Sequence, residues 1–253
     1  MYFEIRNPNS PGTKFNENTD HNILYFMDYV QKLGNSRIDY KEFQRTMELK
    51  NITTESYIRS SFPFYKYAGL INDYSVIDKK LFTKLGEALY HCLYTLDSLK
   101  DESDPESIKL KKAFEETKRA IAKQALNNLI NNPECGYGIV FKQILCFLAT
   151  YDSIDETEFA LIIDQKFGDQ KIPTEMTRDI IIKYRENPSN LAFKVISINK
   201  TTKETQLGAK TNCYTYFTGT LEYAGYVYEE SKRYYLNQTT KKMITDLYGG
   251  IYE

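Results

Sequence analysis

The chain has 253 residues, 42% of them apolar, and 33 basic side chains against 34 acidic ones for a formal charge of −1. That length exceeds the usual single domain and that apolar share can fill real cores, so two globular units are expected. No apolar run approaches a membrane span, the start has no signal-peptide h-region, and the near-neutral charge excludes a uniformly basic surface.

Cys92, Cys135, Cys146 and Cys213 form no CxxC pair, and Cys92 and Cys146 sit in apolar helical stretches. They read as buried thiols of a cytoplasmic protein rather than a disulfide framework. His21 and His91 have no Cys or His at ligand spacing, so neither a zinc site nor another metal or cofactor site is expected in this chain.

A polar arm from Arg6 to Lys14 leads the chain. Thr19 or Asp20 is then the expected N-cap of a helix over His21–Leu33, whose Ile23, Leu24, Met27 and Val30 make one apolar stripe, and Gly34 stops it. Asp39 with Glu42 forms a capping box for a second helix ending near Leu49. A third runs from about Thr54 toward Ala68, and Pro63 inside it predicts a kink or break. A hairpin over Leu70–Phe82 and an amphipathic helix over Thr83–Leu99 complete the first unit. Asp104-Pro105-Glu106 is a strong helix start, and the charged helix that follows to about Ile130 reads as a connector with a solvated face.

The second unit repeats the order. Gly138–Thr150 is an apolar helix, Asp155 with Glu158 is another capping box opening a helix to about Phe167, and Thr174–Glu186 is a helix without counterpart in the first unit. A Thr/Lys/Asn-containing segment, Asn187–Lys203, is followed by a helix candidate at Lys210–Ala224, a hairpin, and a closing helix at Asn237–Tyr248. Between Lys183 and Thr211 stand Lys183, Arg185, Lys194, Lys200, Lys203 and Lys210 against only Glu186 and Glu204.

One pentad occurs twice, as Tyr67-Ala68-Gly69-Leu70-Ile71 and as Tyr223-Ala224-Gly225-Tyr226-Val227. Each copy follows a helical segment and precedes a β-rich stretch and a polar N-cap candidate, Thr83 or Asn237. Glycine suits the left-handed turn that ends a helix. Helix, glycine turn, hairpin, helix is how a winged helix-turn-helix ends. The expected architecture is therefore mainly α with small β-hairpins (α+β): a winged-helix subdomain with its arm over 1–102, a linker helix over 103–133 and a second winged-helix subdomain over 134–253.

In such a fold the third helix enters the major groove. The candidates for base contact are Ser56, Tyr57, Arg59 and Ser60 in the first unit and Lys210, Thr211, Asn212, Tyr214 and Thr215 in the second. Arg and Asn can pair bidentately with guanine and adenine edges. Lys14, Lys50, Lys66, Lys194, Lys200 and Lys203 are candidates for phosphate contacts, and Asn9 in the arm for backbone or minor-groove contact. A restriction-type nuclease site would need an acid and an (Asp/Glu)-x-Lys on neighbouring strands. Asp164-Gln165-Lys166 and Glu48-Leu49-Lys50 fit the tripeptide, but both fall on helical patterns, so no catalytic residue is assigned.

Asn7-Pro8-Asn9-Ser10-Pro11 through Lys14-Phe15, Ile180-Ile181-Ile182-Lys183-Tyr184-Arg185, the lysine-rich insertion, and Tyr216-Phe217 through Tyr223-Ala224-Gly225 with Tyr235-Leu236-Asn237 together resemble the N-terminal recognition region of AlwI-like type IIS restriction and nicking endonucleases, whose plan is similar to that of FokI. The resemblance covers nearly the whole chain. It implies two winged-helix subdomains that read an asymmetric duplex DNA site as a monomer, with a separate Mg-dependent nuclease domain, in cis or in trans, that cuts nearby. Two departures stand out: Pro63 interrupts the first reading helix, and the nuclease domain has no counterpart here. The chain is thus expected to be a fragment or subunit of such an enzyme. A winged-helix transcriptional regulator on a palindrome and a winged-helix protein–protein adaptor are the alternatives.

Overall fold

Helix α1 (Glu17–Leu33) starts a turn earlier than its apolar stripe suggests. Asn16 is the N-cap, accepting the Thr19 N–H at 3.0 Å, because the two expected caps are engaged elsewhere. The Thr19 hydroxyl donates to the Lys14 carbonyl, and the Asp20 carboxylate accepts from the Tyr223 hydroxyl. The computed structural model describes residues 2–6, 8–163, 174–198, 205–208 and 213–248. The chain is mainly helical with small sheets, an α+β protein.

Two compact units make up the chain. The first comprises Pro11–Gly136 with Gly219–Gly225; the second comprises Met1–Ser10, Tyr137–Thr218 and Tyr226–Glu253. This division departs from the sequence boundaries in three ways, the first being that Gly219–Gly225 joins the first unit. The expected linker helix belongs inside the first unit, and the first ten residues belong with the second.

In the first unit, strand β2 (Ile38–Asp39) leads straight into α2 (Tyr40–Leu49), where Asp39 caps the Glu42 N–H at 2.9 Å. Thr54 caps α3 (Glu55–Tyr67) through the Tyr57 N–H at 3.1 Å. Of the kink or break expected at Pro63, the break does not occur: α3 runs through it. Proline removes one helical hydrogen bond at a cost of about 3 kcal/mol. Burial of Ile58, Phe62, Phe64 and Tyr65 on the same helix offsets that, each side chain contributing about 2 kcal/mol. Phe62 meets Phe26 at 5.7 Å and Phe43 at 5.6 Å between ring centres, tying α1, α2 and α3 into one aromatic core.

After α3 the chain doubles back. Asn72 N–H donates to the Leu81 carbonyl, Ile71 bridges Phe82, and β3 (Val76–Ile77) pairs antiparallel with β2. Thr83 caps α4 (Lys84–Ser98), which packs along α5 (Pro105–Asn131). The first turns of α5 carry solvated charge, as expected. Its later part does not: Ile121, Ala122, Ala125, Leu126 and Leu129 are core residues of the first unit.

The second unit starts from the most apolar helix, α6 (Gly138–Tyr151), which ends at Asp152 in a left-handed conformation. Strand β4 (Ser153–Ile154) precedes α7 (Glu156–Ile163), whose capping box is complete: Glu158 N–H donates to Asp155 and Asp155 N–H to Glu158. Helix α8 (Thr174–Glu186) has the predicted bounds. The segment after it contains a strand, β5 (Ala192–Ile198), rather than a loop alone. It joins β6 (Thr205–Gly208) and, in parallel, β1 (Tyr2–Arg6) in the order β1-β5-β6. The residues ahead of the expected arm thus form a strand with Ile5 buried, and only Arg6 of the arm lies on it. Helix α9 (Tyr214–Tyr223), the hairpin β7 (Val227–Glu230) and β8 (Arg233–Leu236), and α10 (Gln238–Tyr248) follow. Strand β4 pairs with β8 in a sheet ordered β4-β8-β7, as β2 pairs with the return segment of the first unit.

Candidate nucleic-acid interface

Helix α3 buries one stripe and exposes another. Ile58, Ser61, Phe62 and Tyr65 face the core, while Ser56, Arg59 and Lys66 face solvent. Residues 56, 59, 63 and 66 recur at helical spacing, so they share one outer face. The four expected base-reading residues split in two. Ser56 and Arg59 are exposed. Tyr57 and Ser60 are half-buried and engaged: the Tyr57 and Tyr65 hydroxyls lie 3.2 Å apart, and the Ser60 hydroxyl donates to the Tyr57 carbonyl at 2.9 Å.

Arg59 also acts on its surroundings. The neighbouring Tyr40 phenol is pushed up to about 12, chiefly by burial and further by the Tyr74 phenol, with the Arg59 guanidinium opposing both. Lys66 adds to the Ser75 N–H in holding the Asp73 carboxyl below its ordinary range. Helix α2, packed on α3, exposes Lys41 and Arg45, two cations that the sequence reading passed over; on a helix known only by its apolar period, nothing separates an exposed Arg from a satisfied one. Lys50 stands at its end, with Nζ 5.4 Å from the Tyr29 ring centre. Glu48, Leu49 and Lys50 are exposed at that helix end, on no strand, so the tripeptide there cannot form a nuclease core.

The other expected contacts are more scattered. Lys14 is half-buried, and its stem lies against Gly219, so it is not a simple surface cation. Asn9 is exposed. Lys194 is exposed on β5 in register with Glu4 of β1, opposite charges on neighbouring strands. On α9, Thr215 is exposed but Tyr214 is a core residue, which corrects its reading as a base contact. Its ring packs on Phe159 and Tyr234, and its hydroxyl donates to the Ile154 carbonyl at 3.1 Å. A phenol can satisfy its one polar atom inside a core, and this one does. Lys200, Lys203, Lys210, Thr211 and Asn212, and the Asp164-Gln165-Lys166 tripeptide, lie outside the described residues.

Two arginines of the second unit are held by a buried carboxylate. Glu158 is fully buried and accepts from Arg185 at 2.6 Å and from Arg233 at 2.7 Å. Arg185 also donates to the Tyr151 and Ser153 carbonyls, Arg233 pairs with Asp155 at 2.5 Å, and the Tyr184 hydroxyl donates to Asp155 at 2.9 Å. Arg185 therefore drops out of the basic cluster counted along the sequence. Its guanidinium clamps α8 to the β4–α7 corner.

A second paired acid, half-buried, lies in the first unit. Tyr223 donates to Asp20, whose other oxygen is 3.7 Å from Lys118 Nζ, and Lys118 in turn pairs with Glu115 at 3.0 Å. Burial pushes the Asp20 carboxyl from 3.8 to about 6 despite these partners. Asp20, Glu115 and Lys118, with Leu24, Leu93 and Leu96, line a cleft of ≈ 590 Å³.

No family model, curated protein or solved structure matches this chain. Among the described residues, no group of three His, Cys, Asp or Glu side chains is placed to hold a metal ion, and no helix is long and apolar enough to cross a membrane. All four cysteines are buried thiols. The outer face of α3 brings a hydroxyl and two cationic side chains, Ser56, Arg59 and Lys66, to solvent on one side of a helix.

Proposed function

We propose that this chain is a sequence-specific reader of duplex DNA, built from two winged-helix subdomains, and that it forms the target-recognition part of a type IIS-like restriction or nicking endonuclease acting in the cytoplasm. The observation that carries the reading is the outer face of α3. It presents Ser56, Arg59 and Lys66 on the helix that directly precedes the doubled-back strand segment. The recurrence of helix, strand, helix, later helix, strand pair and helix in the second unit supports a second reader.

In this reading Arg59 pairs with a guanine edge and Ser56 accepts or donates beside it, while Lys66 and Lys50 neutralise phosphates. Thr215 takes the corresponding place on α9. Two different readers on one chain recognise a non-palindromic site without dimerising, and their linkage raises affinity through effective concentration. Cleavage belongs to a separate nuclease domain, in cis or in trans, with Mg²⁺ as its metal.

Selection from a randomised duplex library at low and at physiological salt tests the reading. A non-palindromic consensus retained at the higher salt supports it. A palindrome instead favours a dimeric regulator. Binding that vanishes as salt rises, without enrichment, favours an adaptor whose partner is another protein.

A further inference from the structure

The cleft of ≈ 590 Å³ lies wholly within the first unit, and none of the expected DNA contacts lines it. Its volume is that of a small-molecule site. Helix α1 gives it Glu17, Asp20 and Leu24, and α4 gives it Leu93, Leu96 and Asp97, at the three- and four-residue spacings that share a helix face. Leu93 is buried and Leu24 and Leu96 are half-buried, so one wall is apolar. The cations on the α5 side are already engaged. Lys118 Nζ pairs with Glu115 at 3.0 Å and lies 5.4 Å from the Tyr223 ring centre. Lys111 Nζ donates to the Lys100 and Glu102 carbonyls at 2.9 and 2.6 Å, beyond the end of α4. The carboxylates are less well met. Tyr223 donates to Asp20 Oδ1, but the nearest cation to Oδ2 is Lys118 Nζ at 3.7 Å, longer than a hydrogen bond. Burial pushes the Asp20 carboxyl up to about 6, which leaves it ionised at neutral pH with its charge only partly compensated. Glu17 and Asp97 are exposed and have no ion pair among the described residues; Lys100 is the exposed cation beside them.

We propose that this cleft binds a primary alkylammonium ligand, whose N–H donates to Asp20 Oδ2 while its apolar stem lies on Leu24, Leu93 and Leu96. Lys118 shows within the chain what this corner accepts: a primary ammonium on an alkyl stem, set beside two carboxylates and a tyrosine ring. Other chemistries fit less well. A quaternary ammonium has no N–H for Oδ2, a carboxylate ligand meets Asp20 and Glu115 as like charges, and an alcohol brings no charge to either. A diamine gains over a monoamine, because Glu17 and Asp97 attract its second charge. The inference is independent of the DNA reading, since it uses no residue of α2 or α3.

Titration of the isotope-labelled chain at neutral pH, followed by NMR, tests this with four probes: hexylamine, hexamethylenediamine, hexyltrimethylammonium and hexanoate. Hexylamine should give saturable shifts at the amides of Asp20, Leu24, Leu93 and Leu96, and the diamine should bind severalfold more tightly. The quaternary cation and hexanoate should each bind about tenfold more weakly than hexylamine, or worse, the loss of one charge-assisted hydrogen bond. Asp20→Asn should weaken hexylamine by a similar factor, its amide spectrum confirming the fold. Glu17→Gln/Asp97→Asn changes only exposed side chains, so it should remove the advantage of the diamine and leave hexylamine binding nearly as before. Equal binding of hexylamine and the quaternary cation overturns the proposal, because then no N–H is read. Preference for hexanoate overturns it by making the lysines the determinant, and the absence of saturable shifts with every probe overturns it outright. A diamine advantage that survives the rim double variant contradicts the role given to Glu17 and Asp97. The four-probe comparison on the wild type decides the ligand class even if Asp20→Asn does not fold.

Discussion

The two units treat their cations in opposite ways. On α3, Arg59 and Lys66 point to solvent from a helix whose other side is packed with aromatic rings. In the second unit Arg185 and Arg233 converge on Glu158, which has no exposure at all. A guanidinium in water is available to a partner, whereas one held by a buried carboxylate has already exchanged hydration for an internal pair. Counting basic residues along the chain treats the two alike. Their surroundings decide which of them can bind.

The largest expected effect comes from opening the pairs on Glu158. Glu158→Gln leaves two guanidinium groups facing a neutral amide, and loss of one partner of a buried ion pair costs about 3–5 kcal/mol. Denaturant unfolding should show that loss in the second unit. A change below about 1 kcal/mol would mean the arginines find water when Glu158 is gone, which would erase the contrast between the units.

Asp20 sharpens the comparison from the first unit's side, because it is half-buried and its nearest cation is 3.7 Å away, against 2.6 Å at Glu158. Its carboxyl is raised from 3.8 to about 6, so between those values the folded chain holds a proton that the unfolded chain lacks. Stability from this group therefore rises as pH falls through about 6 and is complete below about 3.8. The total is at most about 3 kcal/mol. Asp20→Asn should remove this component, so the stability difference between wild type and variant should shift across that window. A difference that stays constant with pH would contradict it.

Outward cations should act on binding and not on folding. Arg59→Ala is expected to weaken specific duplex binding by about 1–3 kcal/mol and to relax one position of the site. Unfolding should move by less than about 0.5 kcal/mol. A comparable loss of stability would place Arg59 with the structural arginines. Lys66→Ala should have the smallest effect: the slope of log affinity against log salt falls by roughly 1, with the consensus unchanged.

Local signals in the sequence translated well. Asp39, Thr54, Thr83 and Asp104 open the helices that their side chains and neighbours predict, and Asp155 with Glu158 forms the capping box legible from spacing alone. Nonlocal facts did not translate. Strand β1 pairs in parallel with β5 across most of the chain, Tyr2 against Ala192 and Ile5 against Val195, and no local pattern near residue 2 names that partner. Pro63 shows its backbone cost in the sequence, whereas the compensating burial of Phe62 and Phe64 beside it depends on the tertiary core. Tyr214 has the polar tip of a contact residue, but its hydroxyl is satisfied by Ile154, sixty residues away. The outward face of α3 was half legible: helical period locates it, yet Tyr57 and Ser60 are drawn inward by bonds to Tyr65 and to the helix's own carbonyl.

Base reading by the exposed side chains of α3 is the central claim. Side-by-side selection from a randomised duplex library at physiological salt, with wild type and Arg59→Ala, tests it most directly. The expected result is a non-palindromic consensus for the wild type and, for the variant, the loss of one guanine-containing position with the remaining block intact. Equal enrichment for both proteins, or none for the wild type, would contradict it.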